Sequence, residues 1–118
     1  DWVVQGNLST EQARGRILVE ALGHCGECHT PRNALGGLNQ DAWLAGAVIP
    51  GGDGRTPDLR ADNLKWSAPD IVAYLKTGLT PDYDSAGGEM VDVISNTSQL
   101  PQSDLEAIAA YLLMVNVN

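Results

Sequence analysis

Apolar side chains recur at helical spacing in three segments of the chain, and the first lies near its start. This segment begins at Ser9 or Thr10, where Ser9 and Gln12 form a capping box, and Gly23 ends it. Its apolar positions are Ala13, Ile17, Leu18, Ala21 and Leu22. Because residues three and four apart share one helix face, the pattern predicts an amphipathic helix with one buried side.

The second helical segment begins at Ser67, with Asp70 three residues on and Pro69 in the tolerated first turn. Its apolar positions are Ile71, Val72, Tyr74 and Leu75. Gly78 follows them, and a glycine at this place is typical of a helix C-terminus.

The third helical segment starts at Ser103, with Glu106 in the capping-box position. Its apolar positions are Leu105, Ile108, Tyr111, Leu112 and Val115. No segment alternates convincingly between apolar and polar residues as a strand does. The pattern therefore predicts an all-α fold with three main helices and long loops.

Gly15 lies inside the first predicted helix, where glycine costs about 1 kcal/mol relative to alanine. A close helix crossing would offset this cost. The facing surface would be the small and apolar side of the last helix, at Ala107, Ile108 and Tyr111. The alternative is an ordinary surface glycine.

The stretch from Pro31 to Asn63 shows no sustained pattern, apart from one turn at Gln40 to Leu44. A connection this long normally counts against a compact domain, although 118 residues fit one domain, 1–118, with 1–8 as an N-terminal extension. Aromatic residues make up only 5% of the chain, and phenylalanine is absent. Loops this long need a large apolar group to pack on, which these side chains alone do not supply.

The formal net charge is −8, from 7 basic and 15 acidic residues. Nucleic acid and anionic membranes are poor partners for such a surface. The charge serves either solubility or steering toward a basic protein surface. No apolar run approaches the length that spans a bilayer.

Both cysteines of the chain fall in one pentapeptide, Cys25-Gly26-Glu27-Cys28-His29, which has the spacing of a c-type haem attachment site. Two thiols on one turn can each add to a vinyl group of the same porphyrin, and the adjacent His29 can then ligate the iron. A buried haem also supplies the apolar bulk that the loops need. The alternatives are a strained disulfide, a thioredoxin-like dithiol without its βαβ context, and a zinc site without a second ligand cluster.

Further motifs follow the pentapeptide in a specific order. Residues 56–59 read Thr-Pro-Asp-Leu, and residues 65–67, Lys-Trp-Ser, lead into a helix that carries Tyr74. Met90 comes next, before a terminal helix ending in Ala-Ala-Tyr-Leu at 109–112. In this order the chain resembles class I cytochromes c over nearly its whole length, which implies one covalent haem c wrapped by long loops.

A narrower resemblance covers residues 14–20, 29–33 and 66–78. These segments are similar to the haem domains of cytochrome c subunits that serve bacterial periplasmic dehydrogenases. Many such subunits carry three haems and a membrane anchor, whereas this sequence shows one site and no anchor. The resemblance therefore leaves the partner enzyme open.

An electron carrier needs a second axial ligand, and only two methionines exist, Met90 and Met114. Met114 lies among apolar residues of the last helix, where methionine is an ordinary filler. Met90 follows Gly87 and Gly88, whose flexible backbone permits close approach to a flat ring, so we favour Met90. His24 precedes the first thiol and is not expected to be a ligand.

The resemblance also implies roles for three other residues. The Pro57 carbonyl would accept a hydrogen bond from His29, Trp66 would donate to a haem propionate, and the Tyr74 hydroxyl would lie near the Met90 sulfur. Trp66 and Tyr74 can equally serve as packing residues.

Five charged residues lie near this expected site in the sequence, and the residues alone leave their roles open. Any of four cations can offset propionate charge or simply face solvent: Arg32, Arg55, Arg60 and Lys65. Glu89, next to Met90, would favour ferric iron if it lies close to the metal.

The sequence as a whole predicts an electron-transfer protein, not an enzyme in its own right. It would take electrons from a periplasmic dehydrogenase and pass them toward an oxidase, a reductase or another cytochrome. Thioether attachment outside the cytoplasm implies export, so we expect a periplasmic protein whose signal peptide is absent from this chain. The alternatives are a ligand-binding or peroxidatic haem protein with an open axial site, and one haem domain of a larger multi-haem dehydrogenase.

Overall fold

A computed structural model describes residues 2–49 and 54–115. In this part of the chain six α-helices follow one another: α1 (Thr10–Arg16), α2 (Cys25–His29), α3 (Ala61–Leu64), α4 (Ala68–Thr77), α5 (Met90–Thr97) and α6 (Gln102–Met114). A π-helical segment, Ile17–Leu22, extends α1, and a 3₁₀ turn spans Gln40–Ala42. Two short strands, β1 (Ala47–Val48) and β2 (Arg55–Thr56), pair antiparallel.

The capping box predicted at the start of α1 is confirmed. The Ser9 side chain accepts a hydrogen bond from the Gln12 backbone N–H, and the Gln12 side chain accepts one from the Ser9 N–H. These bonds satisfy two donors that the first turn of a helix otherwise leaves unpaired. The π-helical extension ends at Gly23, directly before the cysteine motif.

The crossing predicted at Gly15 is also confirmed. A Cβ atom built there would overlap the carbonyl oxygen of Ala107 and lie 2.7 Å from Cβ of Tyr111. The backbones of α1 and α6 therefore approach more closely than any side chain at position 15 would allow. This contact offsets the helix propensity that glycine loses.

Helix α4 has the predicted start and end. The Ser67 and Asp70 side chains form a reciprocal capping box, with Pro69 in the first turn. Gly78 ends the helix in the left-handed conformation at φ 81°, which glycine adopts without a steric penalty.

The capping box predicted at Ser103 and Glu106 is wrong. Helix α6 begins one residue earlier, at Gln102, and Pro101 is its N-cap residue, with no side-chain cap. The Pro101 carbonyl accepts the first helical hydrogen bonds, from the backbone N–H groups of Asp104 and Leu105. Proline before the helix fixes an extended entry into it, so the start is set by the backbone and not by a serine side chain.

The described residues are mostly helical, as the all-α prediction expected, but they form six helices instead of three main ones and also a small two-stranded sheet. Helix α3 is four residues long, and each strand is two residues long, so none of them can show a periodic pattern. Helix α5 buries only Ile94, and polar residues break up the apolar pattern along it, so its sequence does not show a clear buried face. The turn predicted near Gln40 is present, with Asn39 as its cap.

The hydrophobic core lies where α1 and its π-helical extension, α4 and α6 meet. Trp43 and Leu44, from the long connection between α2 and α3, complete the core. Its fully buried side chains include Val19, Leu44, Leu105 and Tyr111. This core supports one side of α2, the short helix that carries the cysteine motif.

Candidate functional site

Helix α2 places the two cysteines and His29 on a single short turn. His24 precedes it in the left-handed conformation at φ 53°, and is exposed. Cys25 is half-buried, Cys28 is exposed, and both are free thiols. Burial raises the pKa of the Cys25 thiol to about 11. Both thiols are therefore placed for bonds to a group lying along this turn.

His29 is buried, and its ring orientation is fixed by a hydrogen bond. Its Nδ1 lies 3.0 Å from the carbonyl oxygen of Pro57, and since a carbonyl only accepts, Nδ1 is the donor. Nε2 is then the nitrogen with a free lone pair. Burial lowers the pKa of His29, partly opposed by the Pro57 bond, which favours the neutral imidazole that binds metals.

The C-terminal carbonyl groups of α2 are held by the segments around β1 and β2. Thr56 Oγ1 donates to the Cys28 carbonyl at 2.7 Å, and the Gly46 backbone N–H donates to the His29 carbonyl at 2.6 Å. Free carbonyls at a helix end need such partners when water is excluded. These bonds anchor the short helix to the loop that also provides Pro57.

Trp43 is a site residue that sequence reasoning missed. Its indole ring lies against Gly26, and a Cβ atom at Gly26 would overlap the ring carbons of Trp43. Position 26, the first of the two residues between the cysteines, therefore has room only for glycine. In the sequence, a tryptophan within a stretch that has no helical or strand pattern could have suggested a packing role. The sequence does not show which part of the backbone that tryptophan contacts.

The two methionines lie in different environments. Met90 is the first residue of α5, is half-buried and lies outside the core cluster. Its neighbour Glu89 brings Oε2 to 4.0 Å from Cys28 Sγ, so the chain directly before Met90 reaches the cysteine motif. Met114 packs against the core near the end of α6. Among the described residues, Met90 is thus the methionine whose sequence neighbour, Glu89, contacts helix α2, whereas Met114 is packed against the core.

Trp66 and Tyr74 form an edge-to-face aromatic pair, with ring centroids 5.3 Å apart and an interplanar angle of 66°. Both rings are half-buried, and burial raises the pKa of the Tyr74 hydroxyl. Across residues 2–49 and 54–115, neither polar atom of the pair has a recorded hydrogen-bond partner. Both remain available to a further group.

Two of the four candidate cations are already paired within the protein. Arg60 lies 2.7 Å from Asp58, and Arg32 lies 3.2 Å from Glu27. Arg55, on β2, and Lys65, in the left-handed conformation at φ 59°, form no recorded ion pair within the described segments. Of the four candidate cations, Arg55 and Lys65 are therefore the two with no ion pair recorded among residues 2–49 and 54–115.

The donor set fits a covalently attached haem. Two thiols stand on one turn, and next to them is a buried imidazole whose Nδ1 is tied to a carbonyl. Within the described residues, no group of three or more His, Cys, Asp or Glu side chains is arranged to hold a metal ion by itself. No helix in the described part of the chain is long and apolar enough to cross a membrane.

No protein-family model matches the chain. Among curated proteins, it is 60% identical to a "Diheme cytochrome c-type" of Cereibacter sphaeroides over 114 residues, 97% of this chain and 38% of the relative. It is 47% identical to the "Fructose dehydrogenase cytochrome subunit" of Gluconobacter japonicus over 86% of this chain and 21% of the relative.

A further relative is the "Alcohol dehydrogenase (quinone), cytochrome c subunit" of Gluconobacter oxydans, 41% identical over 86% of this chain. The chain covers 23% of that relative. It therefore spans well under half the length of each of these curated relatives.

Proposed function

Since the chain is a c-type cytochrome related to the cytochrome subunits of dehydrogenases, we propose that it carries single electrons through one covalently bound haem c. The observation that carries this proposal is the arrangement on α2, where two thiols precede a buried imidazole whose Nδ1 donates to the Pro57 carbonyl. The haem supplies the redox chemistry, and the protein supplies attachment, ligation and a dry environment.

Cys25 and Cys28 form the two thioether bonds, and His29 ligates the iron through Nε2. The hydrogen bond from Nδ1 to the Pro57 carbonyl supports this assignment, because it fixes the tautomer that leaves Nε2 unprotonated. It also increases the basicity of the ligating nitrogen. One motif in the sequence corresponds to one haem.

Met90 is the second axial ligand. Two observations support it: the chain reaches the motif at Glu89, directly before Met90, and Met114 has a packing role in the core. A thioether opposite an imidazole favours ferrous iron and gives a comparatively high reduction potential.

Trp66 and Tyr74 line the haem pocket. Their edge-to-face contact supports this role, as do their polar atoms, which have no recorded partner in the described segments. In this role the indole N–H of Trp66 would donate to a propionate, and the Tyr74 hydroxyl would interact with the Met90 sulfur. Arg55 and Lys65 are the cations that remain to offset propionate charge.

The electron donor is a dehydrogenase, and the acceptor is an oxidase, a reductase or another cytochrome. The names of the relatives support a dehydrogenase donor, because the Gluconobacter japonicus and Gluconobacter oxydans relatives are both named as cytochrome subunits of dehydrogenases. The protein is an electron-transfer component without a substrate of its own. Its net charge of −8 suits weak docking with a partner that has a basic surface. The proposed compartment is the periplasm.

A second candidate is that the chain forms one haem domain of a longer, multi-haem protein. The coverage favours it: the chain spans 38% of a relative that is named a diheme cytochrome, yet it contains one attachment motif. Electron transfer would then pass through further haem domains of the same polypeptide.

The test is expression together with a haem c maturation system, followed by mass spectrometry and optical spectroscopy. We expect one haem per chain, and loss of attachment when both thiols are replaced by alanine. The ferric protein should show the near-infrared sulfur-to-iron band, and the ferrous protein should resist carbon monoxide.

Met90→Ala should abolish the near-infrared band, and Met114→Ala is the matched control that should retain it. Loss of the band in Met114→Ala alone would contradict the ligand assignment. Rapid carbon monoxide binding by the parent protein would instead favour an open axial site. A colourless polypeptide of unmodified mass would contradict the whole proposal.

A further inference from the structure

A tight turn at residues 43–46 makes two contacts with the cysteine-bearing helix and a third with Thr30, the residue that follows it. The Trp43 ring covers Gly26, the Leu44 N–H donates to Thr30 Oγ1 at 2.9 Å, and the Gly46 N–H donates to the His29 carbonyl at 2.6 Å. These contacts act on the middle and the C-terminal end of α2. The 43–46 turn therefore limits both the tilt and the rotation of the helix that carries His29.

The same turn also contacts the segment that orients the His29 ring. Gly46 has a φ of +88°, and a Cβ atom there would lie 2.6 Å from the Thr56 carbonyl oxygen and 3.1 Å from the Pro57 carbonyl carbon. The Leu44 carbonyl accepts from the Leu59 N–H at 2.8 Å. The 43–46 turn thus contacts both the helix that carries His29 and the segment that carries the Pro57 carbonyl, the acceptor of the hydrogen bond from His29 Nδ1.

One residue of this turn, Leu44, is fully buried and has an unfavourable left-handed backbone conformation. Leu44 has a φ of 61° and is 0% exposed. A bulky residue rarely enters the left-handed region, so the surrounding contacts must hold it there. The Leu44 backbone is held by its hydrogen bonds to Thr30 and Leu59, and its neighbour in the turn, Trp43, is held separately.

A buried chain of hydrogen bonds fixes Trp43. Its Nε1–H donates to the Tyr111 hydroxyl at 2.8 Å, and that hydroxyl donates to Glu20 Oε2 at 2.6 Å. The Glu20 carboxylate also accepts from the N–H groups of Val3 and Val4, at 2.7 and 3.1 Å. Tyr111 is 0% exposed, and burial together with the Glu20 bond raises its pKa, so its hydroxyl stays protonated and continues to donate.

We propose that Trp43 is a positioning residue for His29, held by Tyr111, which sets the geometry of the His29–Pro57 hydrogen bond through the 43–46 turn. The proposal rests on the proposed function, since it concerns His29 as an iron ligand. A strong Nδ1–H bond increases imidazole basicity and favours ferric iron. Loosening the turn weakens this bond and shifts the equilibrium toward ferrous iron.

The experiment uses the haem-loaded protein and the variants Trp43→Phe and Tyr111→Phe. The first removes the indole donor, and the second removes only the hydroxyl that holds it. The control is Tyr83→Phe, because Tyr83 is 83% exposed and its hydroxyl has no recorded partner in the described segments. Reduction potential is measured by spectroelectrochemistry, and the axial ligand environment by paramagnetic NMR of the ferric state.

We expect Trp43→Phe and Tyr111→Phe to raise the reduction potential, giving a several-fold higher reduced-to-oxidised ratio at a fixed ambient potential. Both should shift the ferric haem-methyl and His29 resonances while the sulfur-to-iron band is retained. Tyr83→Phe should match the parent protein in every measurement.

If Trp43→Phe does not accumulate as a folded protein, the reduction potential and NMR spectrum of Tyr111→Phe test the proposal without it. A folded variant with an unchanged or lowered potential and parental resonances would overturn the proposal, even if its melting temperature falls. Failure of the proposed function is a separate result, because it appears in the parent protein as absence of covalent haem.

Discussion

Adding a methyl group at Gly15 tests how closely α1 and α6 must cross. The new Cβ atom would overlap the Ala107 carbonyl oxygen and lie 2.7 Å from Cβ of Tyr111. The obstacle on one side is backbone, so no rotamer change relieves it and the two helices must separate. We therefore expect Gly15→Ala to destabilise the protein, although alanine is the better helix former.

The size of the effect follows from two opposing contributions. Overpacking a close contact costs about 1–3 kcal/mol or more, and a backbone obstacle places this site at the upper end. Alanine at a helix interior returns about 1 kcal/mol. The net loss is then about 2 kcal/mol, which corresponds to a fall in Tm of roughly 10 °C for a chain of this size.

Thermal and urea unfolding, followed by circular dichroism on the haem-loaded protein, measure this loss. The matched control is Gly37→Ala, because a Cβ atom at Gly37 would meet its nearest neighbour, Asn33 Nδ2, at an ordinary 3.4 Å. The control should stay within about 0.5 kcal/mol of the parent. A Gly15→Ala variant as stable as the parent would refute the close crossing.

Three further predictions concern caps and charges. Ser67→Ala should cost about 1 kcal/mol in urea unfolding, whereas Ser103→Ala should cost almost nothing, since Ser103 caps no helix. The side-chain hydrogen bond from Arg60 lowers the pKa of Asp58 to about 2, so its stabilisation is complete above the unfolded-state pKa and is lost as pH falls through the folded-state value. Asp58→Asn should therefore lower stability by about 1 kcal/mol at pH 7. The difference should shrink as the pH falls toward 2 and vanish below that value. Glu89→Gln should raise the reduction potential by tens of millivolts in spectroelectrochemistry, because a negative charge near Cys28 favours ferric iron. An unchanged potential would place the Glu89 charge too far from the iron to act.

The helices that could be predicted are those whose signals are local. Ser9 and Ser67 each start a helix with a partner three residues on, and both capping boxes are present. The same signal at Ser103 was misleading, because Pro101 had already set the start of α6 through its backbone. A helix as short as α3, or strands of two residues, are formed by tertiary contacts and leave no periodic trace.

The candidate site shows the same division between local and distant information. The pentapeptide at Cys25–His29 predicts the cofactor, because in the proposed function both attachment points and one iron ligand come from five consecutive residues. The orientation of that ligand depends on partners far along the chain: Pro57 is 28 residues from His29, and the Trp43–Tyr111 bond joins residues 68 apart. No local spacing can encode such a pairing.

It follows that sequence predicts which cofactor binds more readily than it predicts the reduction potential. Thioether chemistry needs only two thiols at the right spacing, so it survives large changes elsewhere in the fold. The potential of a haem protein responds to ligand basicity and nearby charge. In the proposed function both would depend on tertiary contacts, the His29–Pro57 hydrogen bond and the approach of Glu89 to Cys28. Relatives with the same pentapeptide but different residues at positions 43 and 111 should therefore attach haem equally well and differ in potential.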